Sequence, residues 1–180
     1  MNQKTCWGNM VYEPREDSLL LRKCVRKYAK GKVLDVGAGL GIQAKTALDQ
    51  GCDVIAVDND PAAVKHAKEQ GINCVQSDLF ENIKGKFDII IFNPPYLPEH
   101  DCEDPKTKNM VCGGKKGNEL LERFLKEAKT YLKEKGKMLV VWSSLTPNME
   151  KICDKYQWKY EKLAEESFFY EKIYVFLLTK

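Results

Sequence analysis

Lys32-Val33-Leu34-Asp35-Val36-Gly37-Ala38-Gly39-Leu40-Gly41 is a short apolar run that breaks into alternating glycines. The run reads as a buried strand over Lys32 to Ala38, and Ile42 to Gln50 reads as a helix ended by Gly51. Glycines in a strand-to-helix turn let the backbone curl tightly and approach a ligand without a Cβ clash. Outward from this turn the alternation repeats. Asp53 to Asp58 predicts a second strand, Pro61 opens a helix that Gly71 closes, and Ile72 to Gln76 and Phe87 to Phe92 predict further strands. Upstream, Leu19, Leu20, Cys24, Val25 and Tyr28 fall at near-helical spacing within Glu16 to Lys30, before Gly31. Downstream come a long amphipathic helix from Asn118 to Lys135 closed by Gly136, and a strand from Met138 to Trp142. A short helix from Pro147 to Tyr156 and two strands near Tyr160–Leu163 and Phe169–Leu178 complete the chain.

Runs such as Asp88-Ile-Ile-Ile-Phe92 mark strands buried on both faces, as in a parallel sheet covered by helices. The fold class is therefore α/β: a doubly wound, seven-stranded, mostly parallel Rossmann-like sheet with an antiparallel edge hairpin. The 180 residues suit a single domain, with residues 1–31 an N-terminal segment and helix and 32–180 the catalytic sheet. A net charge of +3, from 29 basic and 26 acidic residues, is too mild to indicate nucleic-acid binding. Seven cysteines, none in a C-x-x-C pair, read as free thiols of a cytoplasmic protein with no metal site. No apolar run approaches the ~20 residues that span a bilayer. The long irregular stretch from Leu97 to Gly117 is expected to serve function or to move. His66 and His100 read as surface residues.

The turn is Gly-x-Gly-x-Gly, and Ile42 stands where a dinucleotide fingerprint beginning at Gly37 needs glycine. A dinucleotide brings a pyrophosphate for the helix N-terminus. S-adenosylmethionine (SAM) brings an ammonium instead, which suits an acid beside the turn. Asp58 ends the second strand, 23 residues after Asp35, where a carboxylate can accept both ribose hydroxyls. Asp78 follows the third strand and is placed to accept from an adenine amino group, with Leu79 packed on the ring. Strand-end acids are otherwise helix caps, and Asp60, just before Pro61, is read as one.

Asn93-Pro94-Pro95-Tyr96 follows the fourth strand. Two prolines fix the backbone and remove two N–H donors, leaving carbonyls free to accept. A planar –NH2 group has two donors to satisfy, and the Asn93 oxygen and the Pro94 carbonyl take one each. Tyr96 supplies a stacking surface. The nitrogen lone pair is then aimed at a methyl donor, and positioning is the main catalytic device.

These residues resemble HemK-type protein N5-glutamine methyltransferases, a class I SAM-dependent family, and in particular its short archaeal and eukaryotic branch. The likeness rests on Tyr12-Glu-Pro-Arg-Glu-Asp-Ser18, Asp35-Val-Gly-Ala-Gly-Leu-Gly41, Asp58, Ser77-Asp78-Leu79, Asn93-Pro-Pro-Tyr96 and Gly113-Gly-Lys-Lys-Gly-Asn118. It implies Ser18, Asp35, Gly37, Gly39, Gly41, Asp58, Asp78, Leu79 and Asn93 at SAM, and Asn93 to Tyr96 at the amide of the acceptor glutamine. It implies as substrate the Gly-Gly-Gln glutamine of a class I translation release factor, and as partner a small zinc-binding activator subunit in a heterodimer. The alternatives are an adenine-N6-type nucleic-acid methyltransferase and a non-catalytic SAM-binding scaffold. The first needs base extrusion and a basic surface, which the composition disfavours. The intact Asn93 and Tyr96 argue against the second.

Overall fold

The apolar strands alternate their side chains between two cores. Val33, Ile89 and Ile91 fall in one, while Leu34, Val36, Ile90 and Phe92 fall in the other. Strands buried on both sides need a helical layer on each, and the computed structural model, which describes residues 16–99, 111–146 and 148–180, has both. The described elements are α1 (Glu16–Tyr28), β1 (Lys32–Val36), α2 (Ile42–Asp49), β2 (Asp53–Asp58), α3 (Pro61–Glu69), β3 (Cys74–Gln76), β4 (Phe87–Phe92), β5 (Leu97–Pro98), β6 (Cys112–Gly114), α4 (Glu119–Tyr131), β7 (Leu132–Ser143), α5 (Met149–Lys155), β8 (Lys159–Ser167) and β9 (Lys172–Thr179). Helices α1, α2 and α3 contribute Leu21, Val25, Ala44, Ala47, Val64 and Ala67 to the first core. Helices α4 and α5 contribute Leu121, Phe124, Leu125, Ala128, Ile152 and Cys153 to the second. There Phe124 packs against Phe80 and Phe92, with ring centroids 5.4 and 4.4 Å apart.

The seven-stranded sheet runs β3-β2-β1-β4-β7-β9-β8. The pairs from β3 to β7 are parallel, and β9 runs antiparallel to both β7 and β8. The expected hairpin is thus present, with β9 inserted beside β7 and β8 at the edge. Strand order reverses between β1 and β4, the switch point where open α/β sheets bind ligands. Register levels the carboxyl ends there: Val36 pairs with Val57 on one side and Phe92 on the other. Gly37, Asp58 and Asn93 consequently emerge side by side.

Three local expectations are corrected. The helix expected to run to Lys135 ends at Tyr131, and Leu132 already belongs to β7, paired with Phe87. The register is irregular between that pair and Ile89 with Lys137. Gly136 sits in this stretch because a Cβ there would lie 2.9 Å from the Phe87 carbonyl oxygen. Second, the Leu97 to Gly117 stretch is not wholly irregular. Its ends pair as parallel strands β5 and β6, Leu97 with Cys112 and Pro98 with Gly114, while residues 100–110, with His100, lie outside the described residues. Third, β8 (Lys159–Ser167) is longer than the expected Tyr160–Leu163, whereas β9 begins at Lys172 and not near Phe169. Tyr12 to Arg15, Cys6 and Cys102 also lie outside the described residues. The described cysteines are free thiols, and burial pushes Cys74 up to about 11 and Cys153 up to about 12. Among the described residues no group of three His, Cys, Asp or Glu side chains could hold a metal, and no helix is long and apolar enough to cross a membrane.

Candidate active site

The glycine turn leaves β1 with Gly37, Gly39 and Gly41 at φ of +70°, +51° and +77°, a left-handed path that residues with a Cβ rarely follow. A Cβ on Gly39 would meet nothing within 4 Å, so this backbone faces open cleft. Gly41 differs. A Cβ there would collide with the Ile72 side chain, and Gly41 starts α2 without lining the cleft. Gly41 has no side chain to cap that helix, and Asp35 does the task from β1: its Oδ2 accepts the Ala44 N–H at 2.8 Å. Asp35 is only 2% exposed. Burial pushes its carboxyl well above the usual range, the Ala44 hydrogen bond opposes this, and the charge of Asp58 adds to it.

Asp58 is held by backbone donors, with Oδ2 accepting the Gly39 N–H and Oδ1 the Asp60 N–H, each at 2.9 Å. Burial raises its carboxyl and these bonds oppose the rise. A carboxylate clamped to the glycine turn in this way is preorganised to receive hydroxyls. Asp60 caps α3 by accepting the Ala62 N–H at 2.8 Å, as the sequence predicts. Beyond β3, Ser77 Oγ donates to the Leu79 carbonyl and accepts the Asn82 N–H. This tight turn holds Leu79 at φ +48° with its side chain buried against the cleft. Asp78 Oδ1 is paired with Arg123 of α4, a contact between residues 45 apart that sequence reasoning missed.

At the β4 end, Asn93 Nδ2 donates to Asp17 Oδ2 at 3.1 Å and to Ser18 Oγ at 3.2 Å. A carboxylate only accepts, so the Asn93 nitrogen must face Asp17 and its Oδ1 must face away. That Oδ1 is buried and has no hydrogen-bond partner among the described residues. Asn-Pro-Pro-Tyr is also braced from outside the sheet. Thr146 Oγ donates to the Tyr96 carbonyl at 2.9 Å. A Cβ on Gly113 would lie 2.6 Å from the Pro95 carbonyl oxygen, and one on Gly117 3.0 Å from the Pro98 nitrogen. The Gly113-Gly-Lys-Lys-Gly117 segment is therefore glycine-rich because it lies backbone to backbone on the Asn-Pro-Pro-Tyr turn and the residues just after it.

Every expected site residue except Gly41 lines one cleft of about 850 Å³: Ser18, Asp35, Gly37, Gly39, Asp58, Asp78, Leu79, Asn93, Pro94, Pro95 and Tyr96. The structure adds Asp17, Gln43 and Glu171, whose roles depend on contacts between elements far apart in the chain. Glu171 shares a hydrogen bond with Ser143 Oγ, and burial, with the Asp17 charge, raises its carboxyl. No lysine, arginine or histidine is among the described residues lining the cleft, whereas seven carboxylates line it. A wall of acids with no basic group repels a pyrophosphate and suits a ligand carrying a sulfonium and an ammonium. The cofactor expected from the glycine turn therefore fits.

The family model for the methyltransferase small domain matches residues 15–171. A protein from Methanocaldococcus jannaschii with the provisional name protein N5-glutamine methyltransferase is 43% identical over 151 residues, which cover 79% of this chain and 77% of that protein. The release factor glutamine methyltransferase of Deinococcus radiodurans is 31% identical over 131 residues, covering 64% of this chain and 47% of that protein. In structure, the E. cuniculi Mtq2-Trm112 complex, described as methylating the eRF1 termination factor, matches with a TM-score of 0.76 at 24% identity. That match covers 94% of this chain and 98% of the other. At this identity the likeness establishes the fold.

Proposed function

This chain belongs to the methyltransferase small-domain family, and on that footing we propose that it methylates the side-chain amide nitrogen of the glutamine in the Gly-Gly-Gln motif of a class I translation release factor. The observation that carries the proposal is Asn93 Oδ1, a buried acceptor without a donor at the carboxyl edge of β4. A lone buried acceptor costs roughly 1–3 kcal/mol. An acceptor amide –NH2 repays that cost at the place where the nitrogen must be held.

Asp17 and Ser18 lock the Asn93 side chain so that its oxygen is presented before substrate arrives. Pro94, which has no N–H of its own, offers a carbonyl for the second amide proton. Tyr96, fixed by Thr146 and by the glycine segment, stacks on the planar amide. At the other end Asp58 accepts the ribose hydroxyls, Asp78 the adenine amino group, and Leu79 covers the ring. Gly37 and Gly39 keep the turn low enough for close approach, and Ser18 and Asp35 complete the wall. SAM supplies an electrophilic methyl group on sulfur. Because the amide nitrogen is positioned by acceptors on both sides, orientation does most of the catalytic work. The methylated nitrogen, cationic and acidic, gives up its surplus proton to water or the Pro94 carbonyl without a strong general base.

The acidic cleft also weighs against a nucleic-acid substrate, whose phosphates it would repel. Relatives named for glutamine methylation, including one at 43% identity, support the amide reading. A heterodimer with a small zinc-binding activator is part of the proposal, supported by the two-protein complex among the structural neighbours. The test is mass spectrometry of a release factor incubated with SAM and this chain, with and without the activator. The expected result is the mass gain of one methyl group on the peptide carrying Gly-Gly-Gln. Transfer to adenine in DNA or RNA, with none to that peptide, overturns it.

A further inference from the structure

Among the described residues only two buried side-chain atoms lack a hydrogen-bond partner, and both line the same cleft: Asn93 Oδ1 and Gln43 Oε1. Gln43 stands in the first turn of α2 and is 7% exposed. Its Nε2 donates to the Ser18 carbonyl at 2.9 Å. A carbonyl only accepts, so the Gln43 amide cannot turn round, and its oxygen is held away from α1 without a donor. Ser18 thus fixes both amides at once, Gln43 through its carbonyl and Asn93 through its hydroxyl.

We propose that Gln43 is the receptor for the α-ammonium group of SAM, its Oε1 accepting one of the three N–H bonds. This rests on the cofactor reading above. The adenosine half is assigned to Asp58, Asp78 and Leu79, on the side of β2 and β3. The methyl group must reach Asn93 on β4. What remains is the aminoacyl tail, which must then lie along the wall formed by the glycine turn, α1 and the start of α2. Of the groups in that tail, neither the sulfonium nor the carboxylate has a hydrogen-bond donor. The ammonium alone can satisfy Oε1. Glu16 and Asp17, which line the same wall, favour a cation there.

The test is calorimetry of the full chain with two ligands: S-adenosylhomocysteine, and its analogue with hydrogen in place of the ammonium. For Gln43→Leu the affinity for S-adenosylhomocysteine is expected to fall by about tenfold to a hundredfold. Affinity for the des-amino analogue should stay unchanged, so that the variant no longer distinguishes the two. Equal losses for both ligands, or no loss for either, overturn the proposal. A second measurement needs no variant. In wild-type protein labelled at glutamine, the Gln43 side-chain carbonyl resonance should move on adding S-adenosylhomocysteine and not on adding the analogue. Equal movement with both overturns the assignment. If neither ligand binds the wild-type chain, the cofactor reading falls too, whereas binding indifferent to Gln43 removes this inference alone.

Discussion

Two ends of the same strands treat their carboxylates in opposite ways. At the amino end of the sheet, Asp88 of β4 accepts the Lys32 N–H at 2.8 Å and the Lys133 ammonium at 2.7 Å. Its carboxyl is held below the usual range, chiefly by the Lys133 hydrogen bond. At the carboxyl end, Asp35 and Asp58 are held by backbone N–H groups alone, and burial pushes both upward. The two unpartnered amide oxygens lie at this end as well. The amino end is electrostatically closed by its own lysine. At the carboxyl end Arg123 pairs with Asp78, but Asp35, Asp58 and the two amide oxygens have no cationic partner among the described residues, an arrangement that the proposed cofactor and amide donor would complete. Strained ionisation of this kind concentrates at functional sites.

The sharpest way to break this contrast is at Asn93. Asn93→Ala should lower the transfer rate by about 10²–10³-fold, comparable to deleting one fixed group that contacts the reacting atoms. Affinity for S-adenosylhomocysteine by calorimetry should remain close to wild type. Loss of that affinity with the transfer rate otherwise intact would leave Asn93 only the cofactor contact that the resemblance also implies, and remove its acceptor role. A smaller effect is expected one step out. Gly117 sits at φ +84°, and a Cβ there would press on the Tyr96 carbonyl and the Pro98 nitrogen. Gly117→Ala should reduce kcat by about tenfold to a hundredfold through displaced acceptor groups. It should also lower Tm by several degrees, read by thermal unfolding. Unchanged kinetics would show that the glycine segment does not brace Asn-Pro-Pro-Tyr.

The smallest effects test the carboxylates themselves, through urea unfolding of the cofactor-free chain across pH. Asp88 has a folded pKa below its ordinary 3.8, so its contribution is present above that value and is lost as pH falls through the lowered one. Asp88→Asn should therefore destabilise at neutral pH by about 0–1 kcal/mol, the usual worth of a half-exposed pair, with the loss vanishing in acid. Asp35 has a folded pKa above its ordinary 3.8, so wild type loses stability as pH rises from 3.8 through the raised value. Asp35→Asn keeps an acceptor for the Ala44 N–H and has no charge to bury. It should raise the neutral-pH urea midpoint, with the gain shrinking as pH falls towards 3.8. Equal signs for the two substitutions would erase the distinction between the ends.

Much of the fold was legible because its signals are local. Glycine and proline punctuation bounded the first strands and helices, and Asp60 before Pro61 announced a cap that is present. The boundary between α4 and β7 was not legible. Leu132 continues the helical spacing of Phe124, Leu125 and Ala128, yet it pairs with Phe87 as strand. A residue that satisfies both periods is assigned by whichever neighbour the tertiary fold presents. The site shows the same division. Asn93, Asp58 and the glycine turn stood out as motifs, whereas Gln43, Glu171 and Arg123 carried no pattern of their own.

Local chemistry therefore determined from the residues alone that this is a doubly wound sheet with a glycine turn, strand-end acids and a rigid Asn-Pro-Pro-Tyr turn after β4. Each of those is encoded within a few bonds of backbone, by φ freedom, proline geometry and apolar period. Only the tertiary structure decided which polar atoms are satisfied and which are left over. That turned Asp35 into a helix cap, moved Gly41 out of the cleft and laid Gly113 to Gly117 on the acceptor backbone. Hydrogen-bond satisfaction is a property of the packed whole. An amide such as Gln43 is ordinary in sequence and becomes informative only when the Ser18 carbonyl takes its nitrogen and its oxygen is left without a donor.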